Sequence, residues 1–63
     1  MSLYAVVLTT VKEHTGKTAA QLATLLGMEE PAVDNMLADL TRNGRITKSG
    51  SGSGATYAST SEQ

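Results

Sequence analysis

The sequence predicts a mainly α fold with a small β-hairpin, three helices leading into two short strands. Three observations predict it. Apolar side chains recur at helical spacing on both sides of Gly27, across residues 18–42. A separate apolar stripe, Tyr4, Val7, Leu8 and Val11, marks a helix at the start of the chain. After Gly44 the period of the pattern falls from that of a helix to the alternation of a strand.

The central pair of helices organises the rest. In residues 19–26 the apolar positions are Ala19, Leu22, Ala23 and Leu26, an i, i+3, i+4, i+7 set on one helical face. Thr18 precedes them as an N-cap, because its hydroxyl can accept from an unpaired amide of the first turn. Gly27 follows Leu26, where a left-handed helix end costs glycine nothing. A second helix restarts near Glu30 with Pro31 in its first turn, where the missing N–H does no harm. Its apolar face is Val33, Met36, Leu37 and Leu40, and Asn43-Gly44 closes it, both residues tolerating positive φ. Leu22, Leu26, Leu37 and Leu40 are the expected least tolerant core positions.

The first helix has Ser2 as its candidate N-cap and ends at His14-Thr15-Gly16, with Gly16 as the stop. Leu3 and Val6 lie off its stripe, either partly buried on the flank or in contact with a second subunit. His14, near the negative end of the helix dipole, reads as a capping or solvent residue rather than a ligand or base. Residues 45–48 form a strand with Ile46 inward, 49–54 a Ser/Gly loop, and 55–58 the return strand. Tyr57 is expected inward, against Ile46 across the hairpin. One domain over residues 1–58 and a polar, frayed tail over 59–63 follow from this division.

Composition narrows the class. Sixty-three residues make a single domain with a small core, and 40% hydrophobic against 17% charged residues makes it globular rather than disordered. With no Phe, Trp or Cys, the core must be built from aliphatic side chains and two tyrosines, and a dimer is one way to enlarge it. The absence of cysteine excludes a disulfide scaffold and fits a reducing cytoplasm. No run of about eighteen apolar residues is present to span a membrane, and the opening residues lack the basic region and cleavage site of a signal peptide. Net charge is −1, but unevenly spread: Glu29, Glu30, Asp34 and Asp39 share one window, and Arg42, Arg45 and Lys48 follow it.

Catalysis is not expected. One histidine without cysteine offers no metal-ligand cluster and no cofactor site. Ser49, Ser51 and Ser53 have no base at a fixed spacing to activate them. The SGSGSG tip lacks the Lys-Ser/Thr of a phosphate loop, and Pro31 interrupts the acidic window where a calcium loop would need continuity.

The run AAQLATLLGMEEPAVDNMLADL, the connecting TRNGRI, the glycine-containing tip and Tyr57 together resemble the small bacterial, archaeal and phage winged helix-turn-helix domains. These include the MarR and ArsR types and the FeoC-like small proteins, and the resemblance spans residues 3–58. It implies a three-helix winged helix-turn-helix fold and a transcriptional regulator that binds double-stranded DNA. Helix 30–42 would then enter the major groove, and a Gly/Ser-rich wing over 48–54 would contact the backbone.

Carried onto this sequence, Pro31, Asn35, Ala38 and Arg42 lie along the face opposite the apolar stripe. Asn35 suits an adenine edge, Arg42 a guanine edge or a phosphate, and Ala38 allows close approach or meets a thymine methyl. Thr18 and Gln21 can donate to phosphate from the preceding helix, as can Lys48, Ser49, Ser51 and the tip amides from the wing. Glu29, Glu30 and Asp34 depart from a comfortable DNA reader, since they repel phosphate while stabilising the helix start. A monomer is therefore expected to bind DNA weakly and a homodimer to compensate. The alternative from a different class is a protein-interaction module whose acidic helix, through Glu29, Glu30, Asp34 and Asp39, docks on a basic protein partner.

Overall fold

A computed structural model describes residues 2–60. The elements in chain order are α1 (Leu3–Glu13), β1 (Lys17–Thr18), α2 (Ala19–Leu26), α3 (Glu30–Arg42), β2 (Ile46–Ser49) and β3 (Thr56–Ser59). A single 3-10 turn, Gly52–Gly54, lies in the hairpin loop. The fold is thus mainly helical with a small antiparallel sheet, as the sequence pattern requires. No helix among the described residues is long and apolar enough to cross a membrane.

Local chemistry sets the helix boundaries. Ser2 caps α1, its hydroxyl accepting from the Ala5 amide at 3.1 Å. Helix α1 stops at Glu13, with His14 as its C-cap donating to the Thr10 carbonyl. Thr18 and Gln21 form a reciprocal capping box at the start of α2, each side chain accepting from the other residue's backbone amide. Gly27 takes the left-handed conformation at φ +69°, which turns the chain sharply enough to launch α3 across α2. Pro31 sits in the first turn of α3, and Gly44, at φ +75°, reverses the chain into β2. Of the Asn43-Gly44 pair only the glycine uses positive φ; Asn43 stays at −85°.

The core is one cluster fed by every helix and by the hairpin. Val7 and Val11 come from α1, Leu22 and Ala23 from α2, Val33, Leu37 and Leu40 from α3, and Ile46 and Tyr57 from the strands. Met36, Leu8, Ala19 and Met28 pack around it half-buried. Leu26 and Tyr4 are two further expected positions outside the buried cluster. Leu26 is only half-buried at the rim, and Tyr4 is 42% exposed because its ring lies at the end of the α1 stripe, beyond the cluster. Of the two flanking residues, Leu3 is exposed and Val6 half-buried.

The sheet corrects three expectations. It has three strands in the order β1-β3-β2, not two, because the connection between α1 and α2 pairs with β3. The Gly16 amide also donates to the Tyr57 carbonyl at 2.8 Å, which extends that pairing. Second, the hairpin register sets Lys48 opposite Tyr57 and Ser59 opposite Ile46. Tyr57 and Ile46 therefore meet diagonally within the core rather than face to face, because the connecting loop runs over residues 50–55, one residue later than the Ser/Gly repeat suggests. Third, β3 runs one residue past 58, where the return strand was expected to end. Ser59 ends β3, and the Thr60 hydroxyl donates to the carbonyls of Gly44 and Arg45 at 2.8 and 3.0 Å, closing the base of the hairpin. The remainder of the expected tail, 61–63, lies outside the described residues.

Because Leu22 and Leu37 are fully buried, truncating either to Ala is expected to cost ~2–5 kcal/mol. Leu26→Ala, at the rim, is expected to cost less. Urea denaturation of the three variants checks the ranking, and equal losses at all three would mean the rim position is a core position.

Candidate nucleic-acid interface

With Val33, Leu37 and Leu40 turned inward, α3 presents its opposite side to solvent. Asp34, Asn35, Ala38, Thr41 and Arg42 of that helix face Lys48 and Tyr57 of the hairpin across a groove. The groove continues toward the loop, where Ala19, Glu30, Asp34 and Lys48 meet Gly52, Ser53 and Ala55. Three of the helix residues singled out from the sequence, Asn35, Ala38 and Arg42, are thus brought together with the hairpin's Lys48. Pro31 is exposed on the first turn of α3, outside the groove lining.

The remaining sequence candidates, Thr18, Gln21, Ser49 and Ser51, lie outside the groove lining. Thr18 and Gln21 spend their side-chain oxygens on the capping box, so the Thr18 hydroxyl oxygen is held against the α2 backbone. Thr18 is also paired to Thr56 in the sheet. Ser49 ends β2 opposite Thr56, and Ser51 is exposed at the entry to the 3-10 turn.

The groove carries both signs of charge. Glu30 stands at its loop end and Arg42 on its other side, while Asp34 and Lys48 line both parts. Glu29 occupies the N-cap position of α3, but its side chain makes no capping hydrogen bond, so it acts on the helix only through its charge. The four acids of the window do not form one surface. Asp39 is half-buried, accepts from the Tyr4 hydroxyl at 2.6 Å, and pairs with Arg42 one turn further on.

Sequence reasoning missed Tyr57 as a groove residue, having assigned it only to the core. It lies opposite Lys48 in the strand register, which depends on where the Ser/Gly loop turns and left no signal in the sequence. The Tyr57 phenol titrates above its ordinary value of 10.0, first because it is buried and second because the Asp34 carboxylate lies near it. The Tyr4 phenol is also raised, first by its hydrogen bond to Asp39 and then by desolvation and the Asp39 charge, with Arg42 acting in the opposite sense.

Both shifts favour the neutral phenol in the folded chain. Their stabilisation is therefore complete below the unfolded pKa of about 10 and is lost as pH rises through the higher folded value. Ultraviolet titration of a Tyr4→Phe variant isolates Tyr57. Adding Asp34→Asn is expected to bring the Tyr57 midpoint down part of the way, because burial remains; an unmoved midpoint would place Asp34 too far away to act. Comparison of the chain with protein-family models, with curated proteins and with solved structures returned no match.

Proposed function

We propose that this chain is a winged helix-turn-helix transcriptional regulator of the cytoplasm that binds double-stranded DNA and is not an enzyme. Helix α3 would enter the major groove, and the hairpin loop over 48–54 would lie along the backbone. The observation that carries the reading is the shared groove: an amide, a small side chain and a guanidinium on one helix face, with a lysine opposite them on the hairpin. A major groove about 12 Å wide admits an α-helix, and its base edges pair with amides and guanidinium groups. Lys48 supplies a charge for phosphate from the second element.

The acids of the groove make the binding selective rather than strong. Glu30 and Asp34 oppose phosphate, so one copy has little electrostatic affinity to spend on arbitrary sequence. A homodimer on paired half-sites would restore affinity while keeping that discrimination.

A second reading is favoured by one observation. Glu29, Glu30 and Asp34 are exposed and none has an ion-pair partner among the described residues, so the start of α3 could instead dock on a basic protein. Asp39 is set apart from that patch by its contacts to Tyr4 and Arg42.

Amide chemical shifts during titration with random duplex DNA, at low and then moderate salt, test the first reading. Salt-sensitive shifts are expected at Asn35, Arg42 and residues 48–54, and their absence at low salt would overturn it. Asn35→Ala is expected to relax sequence preference. Lys48→Ala is expected to weaken binding to all duplexes and reduce the salt slope by about 1. Charge reversal at Glu30 and Asp34 separates the two readings by sign, tightening non-specific duplex binding in the first and abolishing capture of a basic protein in the second.

A further inference from the structure

Arg42 belongs to two sets of contacts at once. Its side chain lines the groove beside Asn35 and Ala38. Its Nη2 also donates to Oδ1 of Asp39, one turn back on α3. The other oxygen of that carboxylate, Oδ2, accepts from the Tyr4 hydroxyl at 2.6 Å. Tyr4 comes from α1, a helix that contributes no residue to the groove lining. A three-residue chain therefore runs from α1, over the C-terminal half of α3, to an arginine that lines the groove.

This chain contributes little to stability, because all three side chains are at least one-third exposed and exposed ion pairs are weak. Its effect is on direction. An unpaired arginine at 71% exposure would sample many rotamers. Here one edge nitrogen is engaged, and the carboxylate that engages it is itself held by Tyr4 from a different helix. The guanidinium is a planar fork with several donors, so others remain after the one given to Asp39.

The carboxylate also changes what Arg42 is good for. Asp39 offsets part of the positive charge, which weakens attraction to phosphate, an interaction that depends mainly on charge. It leaves the directional donors intact, and guanine presents two acceptors, N7 and O6, in the major groove. We propose that Tyr4 and Asp39 are positioning residues that aim Arg42 at a guanine edge, leaving the phosphate contact to Lys48. The proposal rests on the DNA-binding reading above and assigns within it which cation reads a base.

The experiment is selection of bound sequences from a randomised duplex pool with the wild-type chain and with Arg42→Ala, Asp39→Asn and Tyr4→Phe. Affinity of each for random duplex is measured in parallel across salt concentrations. The wild-type motif is expected to contain a guanine that Arg42→Ala loses. Asp39→Asn and Tyr4→Phe are expected to keep the rest of the motif and weaken the preference for that guanine several-fold. Asp39→Asn should also bind random duplex more tightly, with a salt slope steeper by up to about 0.9, one phosphate equivalent. Thermal transitions of the variants establish that each is folded. Tyr4→Phe, which retains the ring, carries the same test should Asp39→Asn disturb α3.

Guanine preference unchanged in both Asp39→Asn and Tyr4→Phe would overturn the positioning role. Loss of affinity spread evenly over all motif positions in Arg42→Ala would make it a phosphate contact and overturn the assignment. Failure of the wild-type chain to bind any duplex would overturn the DNA-binding reading itself, and the proposal with it.

Discussion

Helix α3 has one face that must be covered and one that must stay open, and the rest of the chain is arranged to meet that requirement. Val33, Leu37 and Leu40 need apolar neighbours that a chain without phenylalanine or tryptophan can supply only from several directions. Helix α1 contributes Val7 and Val11, α2 contributes Leu22 and Ala23, and the hairpin contributes Ile46 and Tyr57. No one of these elements encloses α3 alone, so its orientation is the joint result of all of them. The solvent face of α3 is then defined by what the others leave uncovered.

What the sequence made legible is what depends on neighbours a few residues away. The Thr18 cap, the Gly27 corner, Pro31 at the start of α3 and the apolar spacing of both central helices each follow from a local rule, and the helix limits agree with them. The face bearing Asn35, Ala38 and Arg42 followed from the same periodicity, since a stripe that is buried fixes the direction of its opposite. Hidden from the sequence was everything that depends on distant pairing. Tyr4 and Asp39 are 35 residues apart, and no local pattern marks them as partners. Strand β1 is two residues long, too short for alternation to register, and exists only because β3 lies beside it. The register that sets Lys48 against Tyr57 was set by where a glycine-rich loop turns, a matter on which repeated Ser-Gly is silent.

The electrostatics of the groove follow from the same economy. With few charged residues, the chain cannot devote one surface wholly to cations, and Glu30 and Asp34 share the groove with Arg42 and Lys48. Such a surface offers donors and acceptors at fixed places while keeping its net attraction for polyanions low. Discrimination between ligands then depends on matching those places, more than on total charge.

The position of β3 within the sheet has a temporal consequence. It is the central strand, hydrogen-bonded to both β1 and β2, yet it follows both of them in the chain. All three helices and both outer strands precede their common partner in the chain. The sheet can assemble only when residues 56–59 arrive, and both edges then close around a single segment. The groove has one wall made of α3 and the other of this sheet, so it is complete only once residues 56–59 have joined the two outer strands.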